Sequence, residues 1–166
     1  MSPEEMADRL AVQQNVTDFA DALDLKRWDL LDRVFAPDAR IAFGGTPLRA
    51  AEAAAWLRRI YSAPALRACL HMVGNMHIRL AGDAAESLTR VFVPLELLDG
   101  DQARLGLNGV WYAWRHARTA EGWRITGSLD RWAPAKPAWQ PGFYGWVSPS
   151  YNAHGEAANV QSRGRA

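Results

Sequence analysis

With a single cysteine, Cys69, the chain has no partner for an internal disulfide, a composition that fits a reducing compartment. No apolar run approaches the roughly 20 residues needed to cross a bilayer, and residues 1–9 are acidic where a leader would be basic and then apolar. Excess charge is missing too: 19 Lys and Arg stand against 18 Asp and Glu, and a net charge of +1 argues against a nucleic-acid face and an acidic tail. Gly-x-Gly-x-x-Gly, Gly-x-Ser-x-Gly and His-Glu-x-x-His are all absent, and His71, His77, His116 and His154 show no close ligand spacing. Nucleotide-cofactor, serine-hydrolase and metal readings thereby lose their main support. The expectation is a cytoplasmic protein with a small-molecule partner, using no cofactor, no metal, no nucleic acid and no membrane.

What is present is patterning, and 166 residues without an internal repeat suit one domain with one core. Ser2-Pro3-Glu4-Glu5 reads as a helix start, with Ser2 as cap and Glu5 able to reach back. Met6, Leu10, Val16, Phe19, Ala20 and Leu23 then recur at helical spacing, and Asp24 falls in the last turn. A carboxylate is poorly placed there, where the helix dipole is negative, so something other than the helix should stabilise it. A second short helix is expected over residues 27–35, ended by Ala36-Pro37-Asp38, with a strand over residues 39–43 and a turn at Gly44-Gly45. Thr46-Pro47 reads as the start of a third helix with a stripe of Ala53, Trp56, Leu57, Ile60 and Tyr61, stopped at Ser62-Ala63-Pro64.

Four long strand-like segments follow, at about 68–81, 84–98, 103–118 and 122–132, separated by Gly82-Asp83, Asp99-Gly100-Asp101 and Glu121-Gly122. Helices first and antiparallel hairpins last define an α+β chain. Strict alternation along the first segment puts His71 with Asn75, His77 and Arg79, opposite Met76, Ile78 and Leu80, so His71 would face outward. A bulge near Val73-Gly74 would return it to the apolar face. From residue 133 to 166 the chain is an aromatic- and Pro-rich extension; Trp139, Phe143, Tyr144, Trp146 and Tyr151 are too aromatic for a pure linker and are expected to pack on the domain, a neighbouring subunit or a pocket mouth.

Each candidate for chemistry has a plain alternative. Asp24 is a base-orienting carboxylate or a solvated helix-end charge beside Lys26 and Arg27; His71 is a general base or a packed strand histidine. Together they would form a metal-free dyad, the carboxylate fixing one imidazole nitrogen so that the other takes a proton. Cys69 is an activated nucleophile or a small core residue. Arg90, Glu96, Asn108, Tyr112 and Ser128 are polar strand positions that serve as substrate handles if they point into a cavity and as surface groups if they do not.

The element order, with residues 22–29 leading into Val34-Phe35-Ala36-Pro37-Asp38-Ala39, resembles the SnoaL-like family of the nuclear-transport-factor-like superfamily. Residues 71–75, Ala81-Gly82-Asp83-Ala84 and Gly122-Trp123-Arg124-Ile125 agree with it, and residues 1–132 are expected to form the domain. The resemblance implies a cone in which a curved antiparallel sheet packs on N-terminal helices and encloses an apolar pocket. Asp24 and His71 match the aspartate and histidine of two enzymes of that superfamily, hexachlorocyclohexane dehydrochlorinase and scytalone dehydratase. Their helper positions differ: a lysine falls on Phe19, an arginine on about Ser128, a second histidine near Asn108 and a tyrosine on Leu23. The resemblance implies Asp24 and His71 as catalytic; the polar strand positions Asn108, Tyr112 and Ser128, with Phe19 at a helper position, complete the candidate site as the expected substrate-binding residues. The implied function is cofactor-independent, dehydratase-like elimination on a cyclic, polyketide, aromatic or steroid-like molecule. Isomerisation, cyclisation, or non-catalytic ligand binding or assembly are the alternatives, in a homo-oligomer of two or three subunits.

Overall fold

The computed structural model describes residues 1–43 and 47–128. The Gly44-Gly45 turn, the proposed cap at Thr46 and everything from residue 129 onward, including the expected boundary at 132 and the aromatic extension, lie outside the described residues. Three α-helices and seven strands are described: α1 (Pro3–Asp24), α2 (Leu31–Val34), β1 (Phe35–Ile41), β2 (Leu48–Arg49), α3 (Ala50–Tyr61), β3 (Leu66–Cys69), β4 (Met72–Ala81), β5 (Ala84–Asp99), β6 (Gln102–Thr119) and β7 (Gly122–Ser128). The fold is α+β, a single curved sheet laid against helices.

Ser2 caps α1 as its spacing predicts, accepting from the Glu5 backbone N–H at 3.1 Å, while the Glu5 carboxylate turns instead to Arg9. Val12, Asn15, Val16, Phe19, Ala20, Ala22 and Leu23 form the buried face. Met6 and Leu10 do not join it and stand exposed. The beginning of the helix is held by polar contacts: Trp123 Nε1 donates to Asp8 at 3.1 Å, and Arg9 donates to the Ile78 carbonyl at 2.8 Å. Phe19 is fully buried under the rings of Phe35, Tyr112 and Trp114, with centroids 5.8, 5.3 and 5.6 Å away. Such pairs are each worth about 0.5–1.5 kcal/mol beyond area burial.

Two expected boundaries shift. The second helix reduces to a 3-10 turn (Trp28–Leu30) and the single turn of α2, and Ala36-Pro37-Asp38 belongs to β1 instead of ending a helix. The third helix begins at Ala50, not Pro47, with Arg49 as cap and Glu52 accepting from its backbone N–H at 2.9 Å. Leu48 and Arg49 first pair with Ile41 and Arg40.

The strand order is β2-β1-β7-β6-β5-β3, with β4 also on β5. All pairings are antiparallel except β1 with β7, which is parallel. Gly82 (φ 62°) and Gly100 (φ 61°) supply the left-handed residues of two hairpin turns. The segment expected as one strand over 68–81 is two, interrupted at Leu70-His71, and both lie along the same edge of β5. The bulge is present one position beyond its expected place: Gly74 pairs with Arg90 and Met76 with Thr89, leaving Asn75 as the extra residue at φ 31°. Val73 and Met76 thus both pack on the core, and the His71 side chain, in phase with Val73, turns inward.

A second polar cluster lies between α1 and the sheet, apart from His71. His116 is buried, with Nε2 2.8 Å from Ser87 Oγ and Nδ1 3.3 Å from Asn15 Oδ1, while Asn15 Nδ2 donates to the Val34 carbonyl at 3.2 Å. Burial depresses His116 from 6.5 to about 4. The unfolded chain then binds a proton that the folded one refuses, so stability is full above pH 6.5 and falls as pH drops toward 4. Urea unfolding should show a loss of about 3 kcal/mol from this group across that window, and a His116→Gln variant should show a correspondingly flatter profile.

Candidate active site

Asp24 is the last residue of α1; the chain leaves the helix through Leu25 and then Lys26, which takes the left-handed conformation at φ 54°. That turn leaves the carboxylate facing the gap between β3 and β4. Its Oδ1 lies 2.5 Å from His71 Nδ1, and its Oδ2 accepts from the His71 backbone N–H at 2.6 Å. Cys69 Sγ donates to the same Oδ1 at 3.3 Å. The misfit of a carboxylate at a helix C-terminus is answered here by three donors from one short segment, residues 69–71.

The pair is enclosed, the His71 side chain being 1% exposed and that of Asp24 11%. Burial acts most strongly on the Asp24 carboxyl and pushes it up, but the side-chain and backbone hydrogen bonds from His71, its charge and the Cys69 thiol together outweigh it and hold the group below the usual carboxylate range. Asp24 is therefore ionised at neutral pH. An acceptor-only partner at Nδ1 fixes that nitrogen as the N–H, so the neutral ring presents a lone pair at Nε2. Tyr61 OH lies 3.3 Å from Nε2.

A cavity of about 400 Å³ opens on this side of the imidazole. Its wall is mostly aliphatic, from Ile60, Leu66, Val93, Leu95, Leu97 and Val110 among others, with His71, Tyr61, Asn108 and Tyr112 as the polar groups. Asn108 is buried and its Oδ1 has no hydrogen-bond partner among the described residues. Tyr112 stacks toward His71 at 6.3 Å between centroids and meets Phe19 edge-on behind. Of the residues expected to bind substrate, Asn108 and Tyr112 reach the cavity and two do not. Phe19 lies behind Tyr112 in the core. Ser128 Oγ is turned to the end of β1, accepting from Ala42 N at 2.9 Å and donating to Ala42 O at 3.2 Å. Arg90 and Glu96 are exposed, Arg90 lying over Trp111 at 4.7 Å.

Asp24, Cys69 and His71 bring their donor atoms within 4.8 Å of one another, and these residue types can bind a transition metal. As arranged they are a hydrogen-bonded set. A 2.5 Å contact between two donor atoms is closer than two ligands stand on a shared ion, which at bonds of about 2.1 Å are roughly 3.4 Å apart. The nucleophile reading of Cys69 fails: burial first, then the Asp24 charge and its hydrogen bond, push the thiol up to about 12. Two partners were missed from sequence, Cys69 as a donor to Asp24 and Tyr61 as the group on Nε2. Tyr61 had a signal, being the hydroxyl-bearing member of an otherwise apolar stripe, placed at the helix end.

Residues 4–128 match the SnoaL-like domain family, and the chain belongs to it. An uncharacterized protein of Mycobacterium tuberculosis is 39% identical over 133 residues, which cover 78% of this chain and 88% of that one. Among solved structures, a protein from Kribbella flavida is 27% identical with a TM-score of 0.66, over 74% of this chain and 88% of its own. A hexachlorocyclohexane dehydrochlorinase from Novosphingobium barchaimii shares the fold at a TM-score of 0.63 and 19% identity, over 80% of this chain and 93% of its own. The likeness to these structures shows a shared fold. No helix among the described residues is long and apolar enough to cross a membrane.

With its thiol at about 12 against an ordinary 9.0, Cys69 should hold about a thousandfold less thiolate than a free cysteine at pH 7. Iodoacetamide labelling of the native protein should be slow in proportion, with normal labelling once the chain is unfolded in urea.

Proposed function

We propose that this protein is a cofactor-independent lyase that eliminates a leaving group, in the simplest case water, from an uncharged cyclic, polyketide, aromatic or steroid-like molecule. The observation that carries the reading is the 2.5 Å contact of Asp24 with His71 Nδ1 at the wall of an apolar cavity. His71 Nε2 removes a proton from the carbon beside an activating carbonyl. Asp24 holds the ring in the required tautomer and balances the imidazolium that forms. Asn108 and Tyr112 face the cavity where an oxyanion would develop and are its hydrogen-bonding partners. Among the described residues no Lys or Arg lines the cavity, which favours a neutral substrate over an anionic one. A dehydrochlorinase with the same fold is by its name an elimination catalyst, in keeping with this chemistry. A homo-oligomer belongs to the same reading, supported by the exposed apolar side chains of Leu70, Met72, Phe92 and Leu105; a cytoplasmic location is proposed with it from the single cysteine.

The test is turnover of a panel of aromatic β-hydroxyketones, followed by the absorbance of the enone formed. His71→Ala and Asp24→Asn should each lower the rate about a hundredfold or more with the fold intact by circular dichroism. Unchanged rates in both variants would remove the dyad from the chemistry and leave a ligand-binding role.

A further inference from the structure

Tyr61 ends α3 just before the Ser62-Ala63-Pro64 stop, buried, with its ring 5.7 Å from the imidazole and in the wall of the same cavity. Since Asp24 fixes the proton on Nδ1, the 3.3 Å contact at the other nitrogen runs from the Tyr61 O–H to the Nε2 lone pair. This is the lone pair that has to accept the substrate proton. Bound substrate therefore displaces the hydroxyl from Nε2, and a buried ring fixed at the end of a helix keeps that hydroxyl within the same corner of the cavity.

We propose that Tyr61 is the general acid of the elimination, a role that rests on the reading of His71 as the base. His71 Nε2 takes the proton from the carbon beside the carbonyl, and the C–H electron pair becomes the new carbon–carbon double bond. The C–O bond breaks with its electrons on oxygen, and the Tyr61 O–H protonates that oxygen as it leaves as water. The imidazolium then returns its Nε2 proton to the phenolate across the 3.3 Å contact. Returning that proton cancels two charges in a buried, largely apolar corner, where they are costly to keep. Both residues end as they began, and no further reactant is consumed. The 3.3 Å contact in the free site puts acid and base in one corner of the cavity, and with the hydroxyl kept in that corner both groups address the same side of the substrate, so hydrogen and hydroxyl leave from the same face, a syn elimination.

Two probes separate the acid from the base: the aldol of benzaldehyde and acetone, whose hydroxide needs a proton to depart, and para-nitrophenoxyethyl methyl ketone, whose nitrophenoxide departs unaided. Tyr61→Phe should lose about a hundredfold on the aldol and change little on the nitrophenoxy ketone, whereas His71→Ala should lose both. Equal loss on the two probes, or none on the aldol, overturns Tyr61 as the acid and leaves the base in place. No turnover by the wild type, or turnover indifferent to His71→Ala, overturns the base reading itself. The wild type gives an independent answer that needs no folded variant: aldol deuterated stereospecifically between the carbonyl and carbinol carbons should lose the hydrogen syn to the hydroxyl, and anti loss would sink the proposal.

Discussion

A carboxylate held at the wrong end of a helix is the constraint around which this molecule is arranged. The carbonyl ends of α1 repel Asp24, and its partial burial removes water that would otherwise solvate it. Hydrogen bonds to a charged group are worth about 1.5–3 kcal/mol each, and the donors come from the stretch Cys69 to His71. A backbone N–H can donate sideways to a helix only where the chain has left its strand ladder, and β3 and β4 part at that point. The interruption of the sheet edge, the tautomer of the imidazole and the end of the first helix are thus one feature.

Much of this was legible from the sequence, because local rules and tertiary structure agree there. The Ser2 cap, the buried face around Val16, Phe19 and Leu23, and the hairpin turns at Gly82 and Gly100 follow from rules that act over a few residues. The bulge was readable for a related reason: His71 faced the wrong way unless one residue was inserted, and a glycine marked the region. That Asn75 and not Gly74 is the extra residue was beyond pattern, since asparagine also tolerates the left-handed conformation.

The misreadings have physical causes as well. Met6 and Leu10 have the right spacing, but periodicity does not report whether a partner surface faces that part of a helix. Thr46-Pro47 carries a start signal that the pairing of Leu48 and Arg49 with β1 overrides. Phe19 and Ser128 entered the candidate site by alignment with charged residues elsewhere, and each has a structural occupation instead, one under Tyr112 and the other clamping Ala42. Cys69 was missed as a polar partner because a contact across 45 residues of sequence leaves no periodic trace, and the hydroxyl of Tyr61 marked that residue in its stripe without naming the imidazole it meets.

The long β5–β6 hairpin divides its length between two duties. Toward one end its inward residues, among them Thr89, Tyr112 and Trp114, lie near the bulge and the floor beneath α1; toward the other, the side chains of Leu95, Leu97 and Leu98 line the cavity. The latter make none of the hydrogen bonds that hold Asp24 and His71. Residues that shape this part of the cavity are therefore separable from the residues that hold Asp24 against His71. Substitutions along one stretch of strand can recut the chamber while the Asp24–His71 contact stays as it is.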